Sequence, residues 1–473
     1  MRTITFGNQQ ILALALLALM AFGGSYLLSH AEVGVGFLVA VALVVGVVSF
    51  LRAELAIYLL IIAMLLSPQF AAGAESAARG KGVTLRFDDF LLVVVGIAWF
   101  LKSALYKELN LLAHTPVNHA AFFYSVACIV STLVGIQSGD VQPLVGSLFV
   151  LKYLEYFLLF WMVINNTQDE RQVRRFLFVL FAVAVIVSIV AILQIPSGVR
   201  VTAPFEGSKG EPNTLGGYLL FILTLMMGIA LTCKEYRKLL TLSIGILFIP
   251  FVFTLSRASY LALPVALLSL LFLTRKLKLA IALVAISLVL TAFPSLLPRA
   301  VTDRIEFTFK QRPQPGQVTV MGRRLDTSTS ARIQSFSESL DAFRLKPLLG
   351  WGVTGWGFID SQFIRALVET GLVGLGALLY LLFRVLIMAR NTLEKVREKD
   401  QFYYGLTCGF IAGTSGLIVH ALGSNTFIIV RIMEPFWLVC AMIFLLPQLL
   451  NKKESEVIPA YAPHYGEYGA VSP

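Results

Sequence analysis

Apolar residues in this chain come in blocks of roughly span length, separated by short polar connections and by one long polar interruption late in the sequence. The blocks run over about 10–28, 33–51, 54–67, 89–106, 118–135, 144–165, 174–194, 214–232, 238–255, 258–273, 278–297, 362–388, 402–420 and 431–449. A membrane-crossing helix needs about 20 apolar residues, so this pattern predicts an all-α, polytopic membrane protein. The third block is short, and only Ser256 and Arg257 part the ninth from the tenth, which sets the expectation at 12–14 transmembrane helices. The first block has a weakly basic start and a span-like length, with more spans behind it, and reads as an uncleaved first helix. The organisation expected is 1–297 for helices one to about eleven, 298–361 for a large loop with short helices, 362–450 for the last three helices and 451–473 for a polar tail.

Composition agrees: 57% of residues are hydrophobic and only 14% charged, which leaves no room for a soluble catalytic domain. The four cysteines, Cys128, Cys233, Cys408 and Cys440, suggest no disulfide, zinc pattern or redox pair. Basic residues orient the chain. With the amino terminus inside, every inner connection carries Lys or Arg, from Arg52 through Arg171, Arg174 and Arg175 to Lys452 and Lys453, whereas several short outer connections carry none. Both termini are thereby placed in the cytoplasm and the 298–361 loop outside.

That loop departs from the charge rule. It holds Arg299, Arg304, Lys310, Arg312, Arg323, Arg324, Arg332, Arg344 and Lys346, with Arg365 just beyond. Long loops translocate largely regardless of charge, so the orientation stands. Each arginine alone is ordinary for a solvated loop, but together they suit an anionic ligand such as a lipid-linked phosphate. Arg257 is the sharpest single residue, set in FTLSRASYLALP between two apolar runs. Such a charge is costly unless it snorkels to the interface or meets a partner, and a guanidinium is well shaped to clamp a phosphate or carboxylate. Lys152 and Glu155, three apart within a block, are expected to neutralise one another. In EPNTLGGYLLF, Pro212 and Asn213 start a helix, Asn213 or Thr214 supplies the cap, and Gly216 and Gly217 allow close packing. His420 and Arg431, flanking the last outer connection, are candidate cavity residues, although a lone histidine at a span end is more often interfacial.

Four stretches then occur in order: EPNTLGGYLLF, TLSRASYL, TSARIQSFSESLDAFRLKPLLGWG and DSQFIRALVETGLVGLGAL. Together, over roughly 204–382, they resemble the O-antigen ligase and polymerase superfamily, which includes Wzy-type polysaccharide polymerases and the ligases that transfer finished polymer to lipid A core. The first half of the chain agrees with that family only in being membrane helices. The resemblance implies a glycosyltransferase of the GT-C type in the bacterial inner membrane, acting at the periplasmic face. Its donor would be an undecaprenyl-diphosphate-linked saccharide, with no nucleotide sugar, cofactor, catalytic metal or nucleic acid involved. By match to the motifs, Arg257 and Arg332 hold the diphosphate, Asn213, Arg365 and Glu369 belong to the substrate cavity, and a loop helix around Ser335 to Phe343 helps to form it. Fixed cations suit this task because charge develops on phosphate as the glycosidic bond breaks.

One departure tilts the reading. The ligases usually carry a histidine followed by asparagine where this chain has Ile359, Asp360 and Ser361, and the loop contains no histidine. Asp360 is either the base that takes the acceptor proton or a helix cap. An acidic residue here favours the polymerase branch, which moves the chain onto a lipid-linked repeat unit, with a chain-length regulator as a candidate partner. An O-antigen ligase is the first alternative. A transporter or flippase of lipid-linked saccharide is the alternative of another class, and neither charges strung through the spans nor an internal repeat supports it.

Overall fold

The structure, a computed structural model, describes residues 43–457 apart from 68, 73–82, 107–112, 205–209, 280, 283–301, 303–305, 308–310, 313, 321–322 and 358. The first apolar block, most of the second, nearly all of the eleventh and most of the tail lie outside the described residues. The helices are α1 (Ala53–Leu66), α2 (Phe87–Tyr106), α3 (Asn118–Gln137), α4 (Pro143–Asn166), α5 (Glu170–Gln194), α6 (Pro212–Thr232), α7 (Arg237–Phe253), α8 (Arg257–Leu273), α9 (Thr327–Leu345), α10 (Gln362–Val396), α11 (Gln401–His420) and α12 (Val430–Val457). Each predicted block from 54–67 to 258–273 and from 362–388 to 431–449 coincides with one of them. Among the described residues seven helices, α3 to α6 and α10 to α12, are long and apolar enough to cross a membrane, and α1 and α8 are shorter apolar helices. The protein is an all-α, polytopic membrane protein. Two small antiparallel hairpins were not foreseen, β1 (Gln69–Ala72) with β2 (Val83–Arg86) and β3 (Thr319–Val320) with β4 (Arg323–Arg324).

Short polar residues set the helix boundaries. Asp169 accepts a bond from the amide of Gln172 at the start of α5, and Asp400 accepts from those of Phe402 and Tyr403 at the start of α11. Proline opens both α4 and α6, where its missing N–H costs nothing. The ninth and tenth blocks are two helices, because Leu255 takes a positive φ of 48° and the chain turns between α7 and α8.

Helix α6 is the central element, with 89% of its apolar window buried against 39% for α10. Its closest neighbour is α11, whose Gly405, Gly409 and Gly413 leave no room for a side chain where they meet Gly228, Thr224 and Phe221. Small residues every fourth position bring the two backbones together, and dispersion plus close fit supply the attraction that lipid cannot.

Helix α10 is interrupted at Gly371, with φ 67° and ψ −167°. The loop segment 347–352 docks on this break. Trp351 N donates to Val368 O and Gly352 N to Glu369 O, while Leu372 N and Val373 N donate to Pro347 O and Leu348 O. Ser131 Oγ on α3 adds bonds to Leu349 O and Glu369 O. An irregular stretch inside a membrane helix survives only when its polar backbone is satisfied by protein, and this segment of the polar loop does so.

In the first half, α12 packs along α4, with the Trp437 ring 5.0 Å from Phe157 and 5.6 Å from Phe160. Lys152, whose charge acts on Glu155 as expected, also has a partner on another helix. Lys152 Nζ reaches Asp89 Oδ2 on α2 at 2.9 Å, and Arg86 and Ser67 bind the neighbouring Asp88. A second helix thus adds a partner to the one three residues away.

Candidate functional site

The turn Thr254–Leu255–Ser256 exposes the last carbonyls of α7 and the first amides of α8 in one place. Arg200, in the connection before α6, answers the carbonyls: Nε donates to Thr254 O at 2.9 Å and Nη2 to Leu255 O at 3.3 Å. Ser256 caps α8 by accepting from Ser259 N, and its hydroxyl donates to Asn213 Oδ1 at 2.8 Å. Gly216 lies against Ser256 and Ser259, so the starts of α6 and α8 are locked side by side. Asn213 is thus a strut between helices; the residue before Pro212, Glu211, occupies the N-cap position, and its side chain makes no cap bond.

Arg257 is the first residue of α8, where the helix dipole adds to its positive field. The hydrogen-bonding pattern is a fork. Nη2 donates to Asp326 Oδ2 at 2.7 Å, and Nη1 to Thr329 Oγ1 at 2.6 Å and Asp326 Oδ1 at 3.4 Å. Its Nε is buried and has no hydrogen-bond partner among the described residues. Arg257 is therefore held by α9, with a quarter of its side chain accessible. The loop helix is longer than expected, because Asp326 caps it and starts it at Thr327.

Arg332 follows Thr329 by three residues on α9 and so stands one turn along on the same face. It is tied to Asp360 through Nε at 2.7 Å and Nη2 at 2.5 Å. Asp360 does not cap α10: Ser361 occupies that position, and the Asp360 carboxylate is used by Arg332. Arg365 and Glu369 lie deeper, 12% and 4% exposed, and pair at 3.0 Å. Glu369 also accepts from Thr354 N at 3.1 Å, so this pair ties the loop to α10. His420 is not interfacial: it is fully buried, with Nδ1 2.8 Å from Thr426 Oγ1. Arg431, also buried, donates to Pro204 O at 2.9 Å.

Asn213, Arg257, Arg332 and Asp360 thus stand where α6, α8, α9 and α10 start, at one end of the bundle, with Arg365 and Glu369 beneath. Sequence reading missed Arg200, Glu211, Asp326 and Thr329. Asp326 was the findable one, since aspartate before Thr-Ser-Thr is a helix-start signal.

The Asp326 carboxylate is fully buried. Burial pushes its pKa up, but hydrogen bonds from Arg257 and Thr329 and the arginine's charge outweigh this and hold it below the usual carboxylate value. Its folded pKa is lower than its unfolded one, so its stabilisation is present above the unfolded pKa and lost as pH falls through the folded one. Protection of residues 327–345 from hydrogen exchange is accordingly expected to be flat from neutral pH to about pH 4 and to fall below it. Asp326→Asn should lower that protection throughout. Loss of protection already near pH 6 in the unmodified protein would contradict the assignment.

Fold and site together define a membrane-embedded helical bundle with carboxylate-braced arginines at one end. Residues 241–379 match the family model described as O-antigen ligase. That stretch is thus similar to the O-antigen ligase family, part of a glycosyltransferase-like group of ligases and polymerases. The match takes in Arg257, Asp326, Thr329, Arg332, Asp360, Arg365 and Glu369, whereas Arg200, Glu211 and Asn213 precede it. No curated protein matches the chain significantly.

Proposed function

We propose that the protein is a polysaccharide polymerase that transfers a glycan chain from undecaprenyl diphosphate onto a lipid-linked repeat unit at the periplasmic face of the inner membrane. The observation that carries this is the placement of Arg257 and Arg332 along one face of α9, each braced by a carboxylate. Two guanidiniums fixed against the same loop helix suit a diphosphate, whose oxygens gain charge as the glycosidic bond breaks. The Arg257 Nε, buried without a partner, is a donor such an anion would satisfy. In this reading Asn213 fixes the Arg257 turn, Arg365 and Glu369 tie the loop to α10, and α9 covers the site. Asp360, within hydrogen-bond reach of Arg332, keeps that guanidinium in place. The absence of a histidine at the start of α10 favours a repeat-unit acceptor over lipid A core.

The test is electrophoresis of surface polysaccharide from a deletion strain. Single repeat units without longer chains, restored to full length by the wild-type gene, are the expected result. Long chains accumulating on the lipid carrier would instead mark a ligase, and an unchanged pattern would remove both readings.

A further inference from the structure

Helix α8 ends in a turn that glycine normally makes. Arg275 N donates to Phe272 O and Lys276 N to Leu271 O, the paired bonds of a Schellman ending, and Arg275 takes the left-handed position with φ 58°. A residue with a side chain is strained there. Tolerating that strain for an arginine calls for a use of its side chain.

The Arg275 side chain borders a groove of about 920 Å³, at the end of the bundle opposite Arg257. Helix α11 supplies the floor through Tyr404 and Ile411, with the Tyr404 hydroxyl donating to Leu273 O at 2.9 Å, and α8 and α10 supply the walls. Those walls are apolar, and their Phe272 and Phe383 are 71% and 59% exposed. At the helix ends the lining turns polar, with Arg275, Arg390 and Arg397 beside Glu394 and Glu398. Arg390 and Glu394 pair with each other at 3.6 Å. Arg275 and Arg397 make no side-chain hydrogen bond or ion pair among the described residues, so neither is spent on the helix-end carbonyls next to it. Against Glu398 these two cations leave one formal positive charge beside an apolar groove.

We infer that the groove binds one anionic phospholipid, its phosphodiester between Arg275 and Arg397 and its acyl chains along Phe272 and Phe383. Charge complementarity selects this occupant: a singly charged phosphodiester cancels the surplus and accepts paired guanidinium bonds, whereas a zwitterionic lipid leaves the surplus in place. Bound there, the lipid wedges α8 against α10, the helices whose other ends carry Arg257 and Arg365. Only the assignment of the groove to the cytoplasmic leaflet rests on the polymerase reading above.

The test is native mass spectrometry of the full-length chain, purified in detergent and titrated with dioleoyl phosphatidylglycerol or, in parallel, dioleoyl phosphatidylethanolamine. Thermal midpoints are read on the same samples. The wild type is expected to bind phosphatidylglycerol at least about tenfold more tightly, and to be stabilised by it more than by the other lipid. Arg275→Gly and Arg397→Gln should each weaken phosphatidylglycerol binding by about tenfold, the effect of losing one charge-assisted bond. Arg275→Gly carries a second signature: without lipid its midpoint should equal or exceed that of the wild type, because glycine relieves the turn. Equal binding of the two lipids, or undiminished binding in both variants, would overturn the inference. So would a wild type that takes up no phosphatidylglycerol, the result if residues 283–301 of the chain itself fill the groove. If Arg275→Gly does not accumulate, Arg397→Gln decides on the same readout. None of these measurements involves transfer, so the lipid site and the polymerase reading stand or fall separately.

Discussion

Arg257→Ala is expected to stop chain extension, lowering transfer by about 10²- to 10³-fold, the usual effect of removing one preorganised donor from a developing oxyanion. The same substitution strips the buried Asp326 of its partner, so a loss of activity could be a loss of folding. A buried carboxylate left unpaired costs on the order of 3–5 kcal/mol. The double variant Arg257→Ala, Asp326→Asn separates the two, because it removes the stranded charge together with the cation. Its thermal midpoint should recover most of the stability, while polysaccharide gels still show single repeat units. Arg257→Lys keeps the charge but not the fork that spans Asp326 and Thr329, and is expected to fall between. Full-length polysaccharide in a stably folded double variant would refute the leaving-group role of Arg257.

The second large effect concerns architecture. Gly371→Val is expected to destabilise the protein by about 4 kcal/mol or more, enough to deplete it from the membrane. Two causes add. The backbone at Gly371 has φ 67° and ψ −167°, a region almost closed to residues with a side chain. A Cβ there would also run into the backbone of Leu348, driving off the segment that satisfies Leu372 N and Val373 N. Gly376, five residues along the same helix, meets nothing, and Gly376→Ala should be neutral or stabilising by up to about 1 kcal/mol. Immunoblots of membranes and thermal unfolding in detergent measure both. Equal stability of the two variants would show that the docked loop does not hold the helix break.

Much of the fold was legible because the membrane imposes it: a run of about 20 apolar residues has few ways to exist other than as a helix. Arg257 was legible for the same reason, as a charge the surroundings penalise. What the sequence did not reveal were the partners. Asp326 lies 69 positions from Arg257 and Asp89 lies 63 from Lys152, and no local spacing rule encodes which distant carboxylate a cation meets. Lys152 shows this, since its i+3 neighbour Glu155 was legible and the Asp89 delivered by another helix was not. The docking of 347–352 was hidden likewise. Nothing local in KPLLGWG or ETGLVG marks the two stretches as hydrogen-bonded to each other.

The glycine seam between α6 and α11 bears on how the molecule can move. From Gly405 to Gly413 it extends about 12 Å, over a third of the depth of a bilayer core, with backbone set on backbone at Gly405 and Gly409 and the Thr224 and Phe221 side chains seated on Gly413. Rocking one half of the bundle against the other would have to prise this seam apart, with nothing in lipid to replace its contacts. Motion is left to the parts held by ion pairs and loop hydrogen bonds, α9 and the upper piece of α10. On the proposed polymerase reading, movement confined to that end suits chemistry done at one membrane face on a lipid-borne substrate.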